Sequence, residues 1–326
     1  MRFEITTSYG KGNIQAIAIS KKLNDLQISE GENVVFDFQK YKEKNPFSNL
    51  LLINSIRRFR KRFPESEMRC SYVEDGGYLS HIGFFKKLGL NIGNEPGAAH
   101  ANSRYVPITD IILENDFYGS IEDIAKRLTN TLQFDDDLQE TSEYVLIETI
   151  RNVFEHAGVK EVSVAAQKWP TKNLVEIAIM DTGCGIVGSM GKKYSLNEVE
   201  LLKYACKPGI TTGSNFTYLD LDDPWRNSGY GLYMLKELTL EYNGSFIICS
   251  GDKAVRYRKK DKQIEEKVFS AGCEGTIICL RFSTEQQPSF SEVRKRILKS
   301  GEDEAKRIAG AIQKASRSSG GRYIIS

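Results

Sequence analysis

Residues 142–158 read SEYVLIETIRNVFEHAG, and this stretch decides how the rest of the chain is placed. Its apolar side chains Val145, Ile147, Ile150, Val153 and Phe154 recur in three- and four-residue steps, which predicts a helix with a buried face. Asp135, Asp136, Asp137 and Glu140 crowd its start, where the helix dipole favours negative charge. Gly158 stands just past its end, the usual place for a C-terminal stop. Glu148 and Asn152 are four apart, so they share a face about one turn from each other. A carboxylate and an amide oxygen held together offer a base and a ligand for a hard cation. The pair alone is as readily a solvated surface pair, and its weight comes from what lies downstream.

Composition sets the frame. The chain has 326 residues, enough for two domains with proper cores. Apolar content of 40% and charged content of 27% are those of a soluble globular protein. A formal charge of +2 gives no bulk electrostatic argument for nucleic acid. No apolar run reaches membrane-spanning length, and MRFEITTSYGKG has no signal-peptide core. The six cysteines (Cys70, Cys184, Cys206, Cys249, Cys273, Cys279) form no CxxC pair and read as reduced core residues of a cytoplasmic protein.

Upstream, strands and helices alternate. Residues 2–8 read as a strand, 13–26 as a helix and Val34 to Phe38 as a strand. Asn45-Pro46-Phe47-Ser48 reads as a turn, with Ser48 capping a helix to about Phe63. Met68 to Val73 reads as a strand, and Tyr78 to Leu88 as a helix ending at Gly89. This pattern predicts a small α/β domain over 1–92. Its basic run, Arg57, Arg58, Arg60, Lys61 and Arg62, reads as a solvated helix face. Residues 93–119 hold Pro and Gly with little periodicity and read as a linker, after which Ser120 is expected to cap a helix through Thr131.

The order of elements at 1–92 resembles the STAS-like domains of bacterial anti-sigma-factor antagonists. That family usually carries Asp-Ser-Ser/Thr-Gly before its central helix, with a phosphorylatable serine. Here the stretch is Asn45-Pro46-Phe47-Ser48-Asn49, a departure that makes Ser48 a helix cap before a phosphoacceptor.

Downstream of the opening helix, 161–166 and 174–180 read as strands, the second ending in Asp181-Thr182-Gly183-Cys184-Gly185. Spaced glycines at a strand end let backbone approach a planar ligand, and the carboxylate can accept a hydrogen bond from an exocyclic amine such as that of adenine. A long segment, Ile186 to Ser228, follows, helical at about Asn197 to Ala205 and carrying Asp220, Asp222 and Asp223; its length suits a lid. Gly229-Tyr230-Gly231-Leu232 then opens a helix, where free backbone N–H groups and the dipole favour phosphate. No P-loop or dinucleotide fingerprint is present. Ser245 to Cys249 and Thr276 to Phe282 read as strands, with an exposed charged hairpin or loop between them.

Together, Glu148-x-x-x-Asn152, Asp181-x-Gly183-x-Gly185, Gly229-x-Gly231 and Gly275-Thr276 match in order the four ATP-site boxes of the GHKL ATPases, over about Ser120 to Ser283. The resemblance implies a Bergerat α/β sandwich over 120–283, with a mixed sheet and helices on one face. It implies ATP and magnesium as ligands. Asn152 would coordinate the Mg²⁺ and Glu148 would orient or deprotonate the nucleophile. Asp181 would take the adenine amine with Thr276 beside it, Gly183 and Gly185 would admit the base, and Gly229 and Gly231 would hold the phosphates. Lys207 or Arg226 would meet the γ-phosphate.

The resemblance further implies a slow ATPase or an anti-sigma-like serine/threonine kinase in bacterial signalling, with a protein partner. The alternative is a non-catalytic ATP-dependent switch. His81 and His100 lack the helix-pair setting of a histidine-kinase acceptor, and His156 reads as packing near the site. No nucleic-acid or membrane partner is expected. The tail, 284–326, reads as a helix interrupted at Gly301 and docked on its own domain; a homodimer through it stays open. Residues Ser316 to Gly321 read as a flexible end.

Overall fold

A central helix explains the layering. In the computed structural model, α6 runs over Asp136–His156 and is capped by Asp135, whose carboxylate accepts from the Leu138 N–H at 2.9 Å. Almost every side chain from Thr141 to Val153 is buried, so α6 is covered on all sides rather than along one stripe. The structure describes residues 1–7, 12–96, 104–112, 117–212, 228–260, 263–285 and 288–315, with backbone alone at 117–120 and 154–156.

Beneath α6 lies a five-stranded sheet of β4 (Tyr105–Ile112), β5 (Glu161–Trp169), β6 (Leu174–Met180), β7 (Ser245–Lys260) and β8 (Gln263–Ser283), in the order β4-β5-β6-β8-β7. Every pairing in it is antiparallel, which corrects the expected mixed sheet. Side chains alternate cleanly between its faces. Val175, Ile177, Ile179, Ile278, Leu280 and Phe282 face a core that includes α6, α5 (Phe117–Thr131), α9 (Gly231–Glu241) and α10 (Phe290–Ala305).

The other face is also covered, which corrects the expectation of helices on one face. Ala165, Ala178, Cys249, Ile277 and Cys279 pack in one core with α1 (Gly12–Asp25) and α2 (Pro46–Arg62). The small residues on this face let the helices approach closely. Beyond them lies a parallel sheet, β1 (Arg2–Glu4), β2 (Val34–Asp37) and β3 (Met68–Ser71), in that order. The chain is a mixed α/β protein in four layers: sheet, helices, sheet, helices.

Glu176 ties the layers together. It is fully buried on β6 and accepts from Arg281 Nε at 2.8 Å, Asn13 Nδ2 at 2.9 Å and the Phe47 N–H at 3.0 Å. The last bond places a carboxylate from one layer at the N-terminus of α2 in the next. Pro46 occupies the first position of α2, so the helix starts before Ser48. Ser48 is therefore not the cap; its fully buried hydroxyl donates to Asn13 Oδ1 at 2.9 Å and is closed to a kinase in this conformation.

Other expectations shift as well. Strand β4 occupies the second half of the stretch read as a linker, and α5 begins ahead of Ser120, so that residue does not cap it. The helix expected over Tyr78 to Leu88 is two short ones, α3 (Tyr78–His81) and α4 (Phe84–Lys87), parted by Gly83 at φ +83°. The basic run is only partly solvated: Arg62 donates to the carbonyls of Leu23, Asn24 and Leu26, and Arg58 to that of Cys273. The arms of β7 and β8 pair out to Lys260 and Gln263. Helix α10 runs through Gly301 and docks on α9 and α6. No disulfide joins any of the six cysteines; Cys184 is exposed, Cys70 half-buried and the other four are buried. Among the described residues no helix is long and apolar enough to cross a membrane. Ser316 to Gly321 lie outside the described residues.

Candidate functional site

Helix α6 carries Glu148 and Asn152 against the start of α9. A β-carbon placed on Gly231 would stand 3.0 Å from Glu148 Oε2, 3.0 Å from Asn152 Nδ2 and 3.6 Å from Asn152 Oδ1. Only a glycine at 231 leaves those two side chains their positions. Glu148 is fully buried, and its Oε2 accepts from Arg151 Nη2 at 2.8 Å. Burial pushes its pKa up, against the opposing charges of Arg151 and Arg294. Glu148 Oε1 and Asn152 Nδ2 are out of solvent and have no partner among the described residues.

Strand β6 delivers Asp181 at its C-terminal end. Asp181 Oδ1 accepts from the Gly183 N–H at 2.8 Å, and the Asp181 N–H donates to the Thr276 carbonyl at 3.0 Å. Thr276 Oγ1 accepts from the Ile186 N–H at 3.3 Å. Burial raises the Asp181 carboxyl to about 6, outweighing the hydrogen bonds from Gly183 and Thr276 that favour its charge. Opposite it, a β-carbon on Gly275 would lie 2.6 Å from Asp181 Oδ1, so this turn also closes only with glycine.

One cleft collects most of these residues: Asn152, Asp181, Gly185, Gly229, Gly231 and Thr276 all line it. Ile179, Ile186, Ile278 and Leu232 supply apolar wall, and Ile210 to Thr212 close a further side. That last segment is held by the Gly209 N–H, which donates to the Gly229 carbonyl at 3.1 Å. The tail backs it, since the Ile312 N–H donates to the Gly209 carbonyl at 2.8 Å.

No model of a known protein family matches the chain, and no curated protein does.

Two predicted site residues sit differently from expectation. Gly183 faces away from the cleft: a β-carbon there would overlap the carbonyl of Ala157 at the end of α6, and Gly183 lines a separate groove with Arg58 and Lys61. It is the packing of the turn onto α6, not access for a ligand, that requires this glycine. Glu148 lies behind Gly231 rather than on the cleft wall. Lys207 Nζ stands 6.0 Å from the centre of the Tyr204 ring and is not among the cleft-lining residues. His81 contacts Tyr105 through its ring, away from the cleft. Arg226, Asp220, Asp222, Asp223, His100 and the side chain of His156 lie outside the described residues.

Sequence reasoning missed Arg151, although its place three residues after Glu148 put it on the same helix face. Ile210, Thr211 and Thr212 fall within the Ile186 to Ser228 stretch read as a lid, though no motif singled them out.

Proposed function

We propose that the chain binds Mg-ATP in the cleft between α6 and the two glycine turns, in the manner of the GHKL ATPases it resembles. The observation that carries this reading is convergence. Residues from positions 152, 181, 229, 231 and 276 line a single cleft. The turn after Asp181 packs on the end of α6 at Ala157, five residues past Asn152.

The residues fit the ligand. Asp181 offers a carboxylate acceptor for an exocyclic amine, with Thr276 fixed beside it. Gly229 and Gly231 stand at the start of α9, where the helix dipole favours phosphate. Asn152 brings an unsatisfied amide to the same place, and its oxygen is the ligand that a magnesium ion would take. What magnesium supplies when bound is neutralisation of phosphate charge.

Turnover would be slow, by hydrolysis or by phosphorylation of serine or threonine on a protein partner. Glu148 is the carboxylate that would take the nucleophile's proton, and burial raises its pKa. A second reading, a non-catalytic switch, draws on the same residue: Glu148 Oε2 is engaged by Arg151, which restrains it from a proton acceptor's role. Phosphate release by wild type and Glu148→Ala separates the two. Turnover lost in the variant supports catalysis, and unchanged release in both sinks it. Transfer from labelled ATP to the chain itself or to added protein separates kinase from hydrolase.

A further inference from the structure

We infer that Asn54, on α2 in the helical layer between the two sheets, is a positioning residue for the base-recognition end of the nucleotide cleft. This rests on the reading of that cleft as an ATP site.

The five-stranded sheet breaks beside the cleft. Ser250 pairs with Thr276, but the next partner of β7, Gly251, pairs with Cys273, so Glu274 and Gly275 bulge out of the ladder. On its other side β8 has lost its neighbour too, because β6 ends at Met180, opposite Ile277. The backbone of 272–275 therefore needs partners from elsewhere. Side chains of α1 and α2 supply them. Ser20 Oγ accepts from the Gly272 N–H at 3.2 Å, Ser55 Oγ donates to the Gly272 carbonyl at 3.3 Å, and Arg58 Nη1 donates to the Cys273 carbonyl at 3.3 Å. Asn54 does most: its Oδ1 accepts from the Glu274 N–H at 2.9 Å and its Nδ2 donates to the Glu274 carbonyl at 2.8 Å. The amide thus copies the two bonds a neighbouring strand would make. Ser250 Oγ donates to the Gly275 carbonyl at 2.7 Å from the far side.

The bulge feeds the site directly. Gly275 lies against the Asp181 carboxylate, and Thr276 holds both Asp181 and the Ile186 N–H. With the Asn54 bonds gone, Glu274 regains its two backbone bonds only by moving, and Gly275 and Thr276 move with it. The acceptor aimed at an adenine amine then loses its aim, while Asn152, Gly229 and Gly231 are untouched. The helical layer between the two sheets is in this way part of the nucleotide site.

The test uses the full chain with Asn54→Ala, Asn54→Asp and, as a control, Lys61→Ala, whose exposed side chain pairs with the Glu274 carboxylate. Fluorescent ATP and GTP analogues are titrated with magnesium, and amide exchange is measured without nucleotide. Asn54→Ala is expected to weaken ATP by about tenfold and GTP by no more than about twofold, so that base selectivity collapses. Protection of the Gly183 and Ile186 amides falls selectively, with that of Ile248 in the central strand kept. Asn54→Asp keeps the acceptor for the Glu274 N–H and shifts in the same direction, which carries the test should the alanine variant not fold. Lys61→Ala behaves as wild type. An Asn54 variant with wild-type selectivity and wild-type protection at Gly183 and Ile186 overturns the inference. A wild type that binds neither nucleotide overturns the reading of the cleft, and this inference with it, a result distinct from equal binding by wild type and variant.

Discussion

Arg151 Nη2 donates to Glu148 Oε2 across 2.8 Å, with both side chains almost wholly removed from water. Breaking such a pair leaves one charge buried without its partner, at a cost of about 3–5 kcal/mol. Arg151→Ala should therefore destabilise the protein by about that much in urea unfolding, while Glu148→Gln with Arg151→Met should recover most of the loss. Additive losses in the double variant would show that the two side chains do not act as a pair.

Gly231→Ala makes a sharper separation of stability from binding. A β-carbon at 3.0 Å from both Glu148 Oε2 and Asn152 Nδ2 must push one of them aside. Mg-ATP affinity should drop by about tenfold or more. The melting temperature should hold or rise slightly, since alanine is favoured over glycine in a helix by up to about 1 kcal/mol. Unchanged affinity in a stable variant would remove Gly231 from the site.

The Asp181 carboxyl, raised to about 6, gives a pH signature. Its folded pKa lies above the unfolded one, near 3.8, so the folded state binds the proton more tightly and stability falls as pH rises from about 4 to about 6. Asp181→Asn removes this loss. Relative to wild type, the variant should gain up to about 3 kcal/mol between pH 4 and pH 7.5, read from denaturation at the two pH values. A constant difference across that range would mean the carboxyl is not perturbed.

Glu176 predicts that the two sheets unfold together. Glu176→Ala strips Arg281, Asn13 and the N-terminus of α2 of their shared acceptor, and should cost about 3 kcal/mol or more. Fluorescence and circular dichroism should report coincident unfolding transitions in wild type, because one core spans α1, α2 and the five-stranded sheet. Two separate transitions would mean that residues 1–92 fold by themselves.

What the sequence made legible follows from how local each signal is. Helix α6 announces itself by its acidic cap and apolar spacing, and the glycine turns by short motifs at element ends. Strand β4 hid because Pro107 breaks its alternation; it is an edge strand, with a register shift between Val106 and Thr109, where a proline is tolerated. Ser48 looked like a cap because Pro46, two residues earlier, was read as part of a turn rather than as the first helical residue. The cap that α2 does receive comes from Glu176, far away in sequence, which no local pattern reveals. The same holds for Asn54, whose role exists only once the layers meet.

The central claim is that an adenine nucleotide and magnesium lodge between α6 and the glycine turns. Calorimetric titration of the wild-type chain with ATP, once with magnesium and once with EDTA, tests it most directly. The account predicts one site per chain, tightened about tenfold or more by magnesium, with that gain erased by Asn152→Ala and ATP binding itself weakened by Asp181→Asn. Absence of heat and of any thermal shift in the wild type, or identical isotherms for wild type and both variants, would contradict it.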